Sequence, residues 1–210
     1  VEIIFDKSRD ITVEYLSVSE IQLLSKTLKQ KLNPRYPSRY MILFAIYTGA
    51  RLGEIQALTW SDIDFDHNTV SINKSWNYHD GGGFKETKTE SSNRVIRLNG
   101  GLLSLLAQLK PNDPKMVFMS SFGSIPTSNA VNKTLRSVMK ECSIVNNNFH
   151  FHSLRHSHVA YLLYQGIDLY AISKRLGHSD MTTTAKKYAY LIDEHKAQSD
   201  DLIEAAINDI

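Results

Sequence analysis

Features that mark secreted and membrane proteins are scarce in this 210-residue chain. Its one cysteine, Cys142, rules out an intramolecular disulfide, so we expect a reducing, cytoplasmic setting. The longest apolar run, Met41 to Tyr47, is too short to cross a bilayer, and residues 1–15 lack the basic-then-apolar pattern of a secretory signal. The composition, 42% hydrophobic and 22% charged, is typical of a globular protein with a buried core and no membrane partner.

Basic residues are scarce in the C-terminal tail, residues 193–210. This segment has six acidic residues and one base, Lys196, so it carries a net charge of −5 while the remainder carries +7. A basic body favours a polyanionic partner, and an acidic tail either covers a basic surface or aids solubility. The tail also has an apolar stripe that predicts a short helix in need of a surface to pack on, made of Leu202, Ile203, Ala206, Ile207 and Ile210. The chain starts with Val1, which suggests a fragment of something longer.

Helical periodicity dominates the chain. Ser17 begins an amphipathic helix with a capping box, and the nearly apolar helix over 38–48 ends at Gly49 and should be central. Further helices are predicted over 51–60, 102–109, 128–142, from about 150 to 165, 169–176 and 180–190. Two-residue alternation predicts a three-stranded antiparallel sheet over 69–73, 84–89 and 94–98, with a short strand over 116–119. The predicted fold class is therefore α+β, mainly α: a helical domain with a small three-stranded antiparallel sheet.

Several basic residues lie where an anion could bind. His152 and Arg155 are three residues apart and would project from one helix face. Arg51 lies in a first helical turn, where a cation opposes the macrodipole unless it shares an anion with the free backbone amides. A second basic face is formed by Lys133, Arg136 and Lys140. Taken singly, each of these residues could equally be a solvated surface charge.

Four motifs in order make the chain resemble the catalytic domain of the tyrosine recombinases, the phage-type integrases. They are the stretch Thr48 to Ile55, the hairpin segment Thr87-Lys88-Thr89 with Arg94 after it, the box His152 to His156, and Leu176-Gly177-His178 followed by Tyr188. The resemblance covers nearly the whole chain. It implies that residues 15–192 form the catalytic domain and that residues 1–14 end a linker from a missing N-terminal DNA-binding region. It also implies that the tail helix, 193–210, is exchanged between protomers.

The resemblance also implies a role for each candidate residue. Arg51 and Arg155 would hold the phosphate oxygens, and Tyr188 would attack, giving a 3′-phosphotyrosine and a free 5′-hydroxyl. His152 is the candidate base, Lys88 would protonate the leaving 5′-oxygen, and His178 would hydrogen-bond the phosphate. Glu54 would orient the site without taking part directly, and no metal or other cofactor is required. The candidate DNA-contacting residues are Lys85, Arg94, Lys133, Arg136 and Lys140.

Some residue assignments stay open. Lys74 and Lys85 also lie near the hairpin and compete with Lys88 as the general acid. Tyr190 competes with Tyr188 as the nucleophile. Four histidines between His150 and His158 include an i, i+4 pair that resembles a zinc site, but no cysteine and few carboxylates accompany them.

The expected function is that of a mobile-element recombinase or integrase that acts on double-stranded DNA. It would act as a homotetramer on DNA, with accessory DNA-bending or excision factors. One alternative is a type IB topoisomerase, which shares the chemistry. The other is a non-catalytic regulator, because residues 171–189 can be written as a helix-turn-helix.

Overall fold

The computed structural model describes residues 13–77, 82–87 and 90–194, together with Glu204 and Ile207. The helices of this part of the chain are α1 Val18–Gln30, α2 Ser38–Thr48, α3 Leu52–Gln56, α4 Gly100–Ala107, α5 Ser128–Glu141, α6 Ser153–Tyr164, α7 Leu169–Leu176 and α8 Met181–Glu194. The strands are β1 Ile63–Asp64, β2 Thr69–Ile72, β3 Lys74–Asn77, β4 Gly83–Glu86 and β5 Arg94–Arg97. The predicted mainly helical α+β class is confirmed.

Helix α2 is the centre of the fold, as its apolar sequence predicts. Its residues from Tyr40 to Ala45 are all buried, and it contacts helices α1, α3, α4, α5 and α6. Helix α1 begins with the predicted capping box, in which Ser17 and Glu20 each accept a hydrogen bond from the backbone amide of the other. Helix α2 ends at Gly49, which adopts the left-handed conformation with φ 66°. This glycine begins a segment that leads directly to Arg51.

The sheet differs in membership from the predicted one. A three-stranded antiparallel sheet is present, but its order is β1-β2-β5, with Val70 opposite both Ile63 and Ile96. The segment starting at Phe84 pairs instead with β3, as a separate antiparallel hairpin in which Trp76 lies opposite Phe84. The two sheets differ in how deeply their side chains are buried. Residues Val70, Ile72 and Ile96 enter the core, whereas Phe84 is 44% exposed.

Two further elements are shorter than predicted. Helix α3 ends at Gln56 because Thr59 starts a new turn, with its amide and hydroxyl both donating to the Asp62 carboxylate, at 2.8 and 2.6 Å. The predicted strand over 116–119 consists of one bridge between Met116 and Thr59. The Thr59–Asp62 cap accounts for the first change, because it begins the separate 3₁₀ turn Trp60–Asp62.

A second, smaller apolar cluster joins α6, α7 and α8 beside the main core. It contains Val159, Ile172, Leu176 and the ring of Tyr188. This packing brings α7 and α8 against the helix that carries Arg155. Within the described residues, no helix combines the length and hydrophobicity that spanning a membrane requires.

Candidate active site

Arg155 lies between the C-terminal ends of two helices. Its Nη1 donates to the Gly49 carbonyl at the end of α2 (2.6 Å), and its Nη2 donates to the Leu176 carbonyl at the end of α7 (2.7 Å). The C-terminal ends of helices carry partial negative charge, which favours a cation there. Burial and the nearby Arg51 charge lower the pKa of Arg155 to about 9, so the side chain stays charged at neutral pH. The residue, only 3% exposed, is held rigidly.

His178 is the neighbour of Arg155 in this cluster. Nη2 of Arg155 lies 3.0 Å from His178 Nε2, and His178 Nδ1 lies 2.7 Å from Thr184 Oγ1. An arginine only donates, so Nε2 accepts and the ring proton is on Nδ1. Partial burial, followed by the charge of Arg155, lowers the pKa of His178 to about 4. In this state His178 is neutral and has no proton on Nε2 to donate to a phosphate. The predicted phosphate contact therefore requires protonation or a change of tautomer.

A carboxylate links the second arginine to the scaffold. Glu54 contacts Arg51 Nη1 at 2.8 Å and receives two hydrogen bonds from Arg94, at 2.8 and 3.2 Å. Burial alone would raise the pKa of Glu54, but the hydrogen bonds and charges of Arg94 and then Arg51 hold it below the usual value. The Arg51 side chain stays 38% exposed, whereas Glu54 is 4% exposed. Arg51 is thus oriented yet accessible from solution.

Arg94 was expected to contact DNA, but the structure turns it inward. Its guanidinium donates to Glu54 and to the backbone carbonyls of Ser92 and Arg175, and 6% of the side chain is exposed. The glycine at the end of α7 makes room for it, because a Cβ on Gly177 would lie 3.1 Å from Arg94 Cδ. This geometry favours a role for Arg94 in positioning Glu54, and its contact with DNA stays a prediction.

Tyr188 lies within helix α8 at a kink. Its backbone angles, φ −117° and ψ 17°, depart from helical values, and the side chain is only 1% exposed. Its hydroxyl is 2.7 Å from Nδ1 of His156, which is itself 6% exposed. The sequence reasoning gave His156 no role. Its place directly after Arg155 was the one available signal, and that signal does not identify the contact with a tyrosine 32 residues away.

His152, the predicted base, lies at the start of α6 and is exposed. Its ring packs edge-on against His156, with centroids 5.0 Å apart. Partial desolvation, then the charges of Lys187 and Arg155, lower the pKa of His152 to about 4. The ring is therefore neutral and able to accept a proton. In this structure, however, the histidine in contact with the Tyr188 hydroxyl is His156.

The lysine candidates are placed very differently from one another. Lys88 lies outside the described residues. The ammonium group of Lys74 donates to both carboxylate oxygens of the buried Asp62, which indicates a structural role. Lys85 is exposed on β4, opposite Ser75. A Cβ on Gly53 would lie 2.5 Å from Ser75 Oγ, so the hairpin packs closely against α3 and a side chain at position 53 would require that hydroxyl to rotate away.

Lys187 is a basic residue of the site that the sequence reasoning did not assign. It is half-buried, and burial together with the charges of Arg155 and Arg51 lowers its pKa. Its charge also acts on His152 and His156. The signal available in the sequence was only its position next to Tyr188.

The predicted basic face of α5 is exposed as expected. Lys133, Arg136 and Lys140 point outward, opposite the buried Val131 and Leu135. Among the described residues, no group of three histidine, cysteine or acidic side chains is arranged to hold a metal ion. The site is instead a cluster of Arg51, Arg155 and Lys187 around neutral histidines. Such a cluster can stabilise negative charge that develops on a group beside a phenol.

Comparison with known proteins identifies related sequences. The sequence model described as the phage integrase family matches residues 14–195. The integrase of Staphylococcus phage L54a is 28% identical over 213 residues, which cover 92% of this chain and 60% of that protein. The ICEBs1 integrase of Bacillus subtilis (strain 168) is 29% identical, with 76% of this chain and 46% of that protein covered. The chain thus spans about half the length of these relatives.

Solved structures share the fold at low sequence identity. The Tn1549 transposon integrase in complex with circular intermediate DNA has a TM-score of 0.73 at 19% identity, covering 94% of this chain and 68% of that chain. The catalytic domain of bacteriophage HP1 integrase has a TM-score of 0.60 at 17% identity, covering 90% and 95%. The described fold is therefore that of a recombinase catalytic domain.

Proposed function

Because this chain belongs to the phage integrase family, whose model matches residues 14–195, we propose that it cleaves and rejoins DNA strands at specific sites of a mobile element. The reaction would proceed through a covalent 3′-phosphotyrosine. One observation carries the proposal: a buried, carbonyl-held Arg155, an accessible Arg51 and the Tyr188 hydroxyl all belong to one cluster. Double-stranded DNA is the substrate that fits a cationic site of this kind, and DNA complexes of a related transposon integrase support it.

Each residue has a proposed step. The Tyr188 oxygen attacks phosphorus, the bond to the 5′-oxygen breaks, and Arg51 and Arg155 stabilise the charge on the non-bridging oxygens. Each such donor can contribute about 10² to 10³ in rate. His152 takes the phenol proton and Lys88 protonates the leaving oxygen. Since the arginines supply the positive charge, the proposed reaction needs no metal ion.

The direct test is the formation of a covalent complex. The substrate is a duplex selected by binding from a random pool. It carries a nick, so that the strand released with a free 5′-hydroxyl diffuses away, and the amount of covalent protein–DNA adduct is measured after denaturation. We expect an adduct with the wild type that persists in EDTA, and none with Tyr188→Phe. Tyr190→Phe is the matched control and should still react. An adduct that survives Tyr188→Phe would refute the assigned nucleophile.

The leaving-group role of Lys88 has a separate chemical signature. A 5′-bridging sulfur leaves without needing a proton, so Lys88→Ala should be slow on ordinary DNA and restored on a 5′-thio substrate. Arg155→Ala should be slow on both. If Lys88→Ala shows no rescue, the acid is Lys85, Lys187 or another group.

The two alternative functions are separated by the same substrates. A non-catalytic helix-turn-helix regulator would form no adduct, and it gives no reason for α7 to end on Arg155. A type IB topoisomerase would form the adduct and relax supercoiled DNA without bringing two sites together. We propose recombination, and a two-site strand-exchange assay decides between them.

We also propose that protomers assemble as a tetramer on DNA through their tails. A groove of about 830 Å³ between α1, α2 and α6 has an apolar floor that includes Ile46 and Leu162, and a rim that includes Lys26 and Lys29. The acidic tail with its apolar stripe is complementary to it, and Ile207 is 61% exposed. Two variants test this docking: the double variant Ile203→Asp/Ile207→Asp in the tail, and the single variant Lys26→Glu in the groove. Each should still bind a half-site but lose cooperative binding to a full site. Unchanged cooperativity in a gel-shift titration would contradict tail docking. Accessory DNA-bending or excision factors would act on this assembly.

A further inference from the structure

The contact between His156 and Tyr188 has a consequence for the direction of the reaction. Both side chains are buried, and the hydroxyl oxygen lies 2.7 Å from Nδ1. The ring of His152 packs edge-on against the His156 ring, with centroids 5.0 Å apart. Helix α8 departs from helical geometry at Tyr188 itself, so the backbone is shaped to bring this phenol to the imidazole.

Burial and the charges of Lys187 and neighbouring groups lower the pKa of His156 to about 3, so the ring is neutral at physiological pH. A neutral imidazole has one nitrogen that donates and one that accepts. A phenol is a more acidic donor than a neutral imidazole N–H, and an imidazole nitrogen is a more basic acceptor than a phenol oxygen. The hydroxyl hydrogen then points to His156, and Nδ1 is the acceptor.

This O–H···N bond can exist only while Tyr188 is free. When the Tyr188 oxygen bonds to phosphorus, its proton has left for a base, the bond to the 5′-oxygen has broken, and the 5′-oxygen has taken up a proton. The ester oxygen has no hydrogen, so the O–H···N bond is lost. A change of tautomer would let Nδ1 donate instead, but the bridging oxygen of an aryl phosphate ester is a weak acceptor, so the contact is weaker than in the free enzyme. Rejoining reverses each step and restores the bond.

We propose that His156 sets the cleavage equilibrium: by accepting the Tyr188 hydrogen it stabilises the enzyme with intact DNA relative to the covalent intermediate. This inference rests on the proposed function, because it takes Tyr188 as the nucleophile. His156 is not the base in this account.

The test measures the adduct fraction at equilibrium. An intact selected duplex is used, in which the cleaved 5′-strand stays annealed and rejoining competes with cleavage. His156→Phe removes the acceptor and should raise the adduct fraction about two- to tenfold, the worth of one buried hydrogen bond. His156→Asn is the matched control, because its amide can occupy the position of Nδ1, and it should behave like the wild type. His156→Gln moves the polar group away from that position and replaces His156→Phe if the latter fails to fold.

Three results would overturn the proposal. A lower adduct fraction for His156→Phe with a slower forward rate on the nicked duplex would make His156 a base or a donor. An unchanged fraction in His156→Phe and His156→Gln would mean that the contact has no effect on the equilibrium. Equal effects of Asn and Phe would point to packing. If the wild type itself forms no Tyr188-dependent adduct, the failure lies in the proposed function.

Discussion

Glu54 offers a sharp test of how the site is held together. It is a buried carboxylate between Arg51 and Arg94, and Arg94 is buried too. The substitution Glu54→Gln keeps the shape and removes the charge, which leaves the Arg94 guanidinium without a counterion. Removing one partner of a buried ion pair typically costs about 3 to 5 kcal/mol. In a chain of this length, that corresponds to a fall in Tm of roughly 6 to 20 °C.

The matched control is Glu141, which also joins two cations, Lys31 and Arg39, but on the surface. Glu141→Gln should melt close to the wild type, because exposed ion pairs are screened by solvent. Thermal and urea unfolding of both variants provide the comparison. If Glu54→Gln and Glu141→Gln melt together, burial of the Glu54 pair is not what holds Arg94 in place.

The pH dependence of Glu54→Gln is a second check. The folded-state pKa of Glu54 is held below its usual 4.5, so the stabilisation by its charge is fully present above about pH 5. It is lost as pH falls through the lower folded pKa. The stability difference between wild type and Glu54→Gln should therefore shrink on acidification. A difference that grows below pH 4.5 would contradict the direction of the shift.

Three other predictions concern Arg155 and its surroundings. Arg155→Lys keeps the charge but loses the fork that reaches two carbonyls, so adduct formation should slow about a hundredfold or more, whereas Arg136→Lys on the exposed face should have little effect. Gly49→Ala should lower the free energy of unfolding in urea more than Gly166→Ala does. Both glycines have φ near +70°, but a Cβ on Gly49 would lie 2.7 Å from a carbon of the buried His158 ring, whereas the space around Gly166 is open. In NMR titration, the His178 ring should stay neutral down to about pH 5 without DNA, given its pKa of about 4, and an anion bound at the site should raise that pKa. A DNA-free midpoint near the ordinary 6.5 would contradict the contact with Arg155.

Local sequence signals predicted the scaffold well where side chains act within a few residues. The Ser17 cap, the apolar α2 and the glycine that ends it were all recognisable, and they place Gly49 and Arg51 correctly. The sheet was harder, because alternation shows that a segment is a strand but not which strand it pairs with. Val70 is buried in the core sheet, whereas Phe84 lies in the exposed hairpin. Which strands pair therefore depends on the tertiary fold.

For the site, the sequence indicated which residues matter but not what they touch. Arg94 was recognisable as a site-associated cation, yet its inward direction is set by Glu54, 40 residues earlier. The contact of His156 with Tyr188 depends on the kink in α8 and on how α8 packs against α6. Neither is encoded in a local pattern. The roles of Lys88 and of the α5 basic face stay predictions.

The two helix ends that hold Arg155 belong to distant parts of the chain, since Gly49 lies 106 residues before it and Leu176 lies 21 after it. Contacts between residues so far apart in sequence form only when the intervening chain is brought together, at a cost in loop-closure entropy. The cation cluster therefore has no local precursor: a nascent or partly unfolded chain contains the arginines and the tyrosine but not their arrangement. If the chain cleaves DNA as proposed, that capacity arises only when folding is complete, and a partly folded chain lacks it.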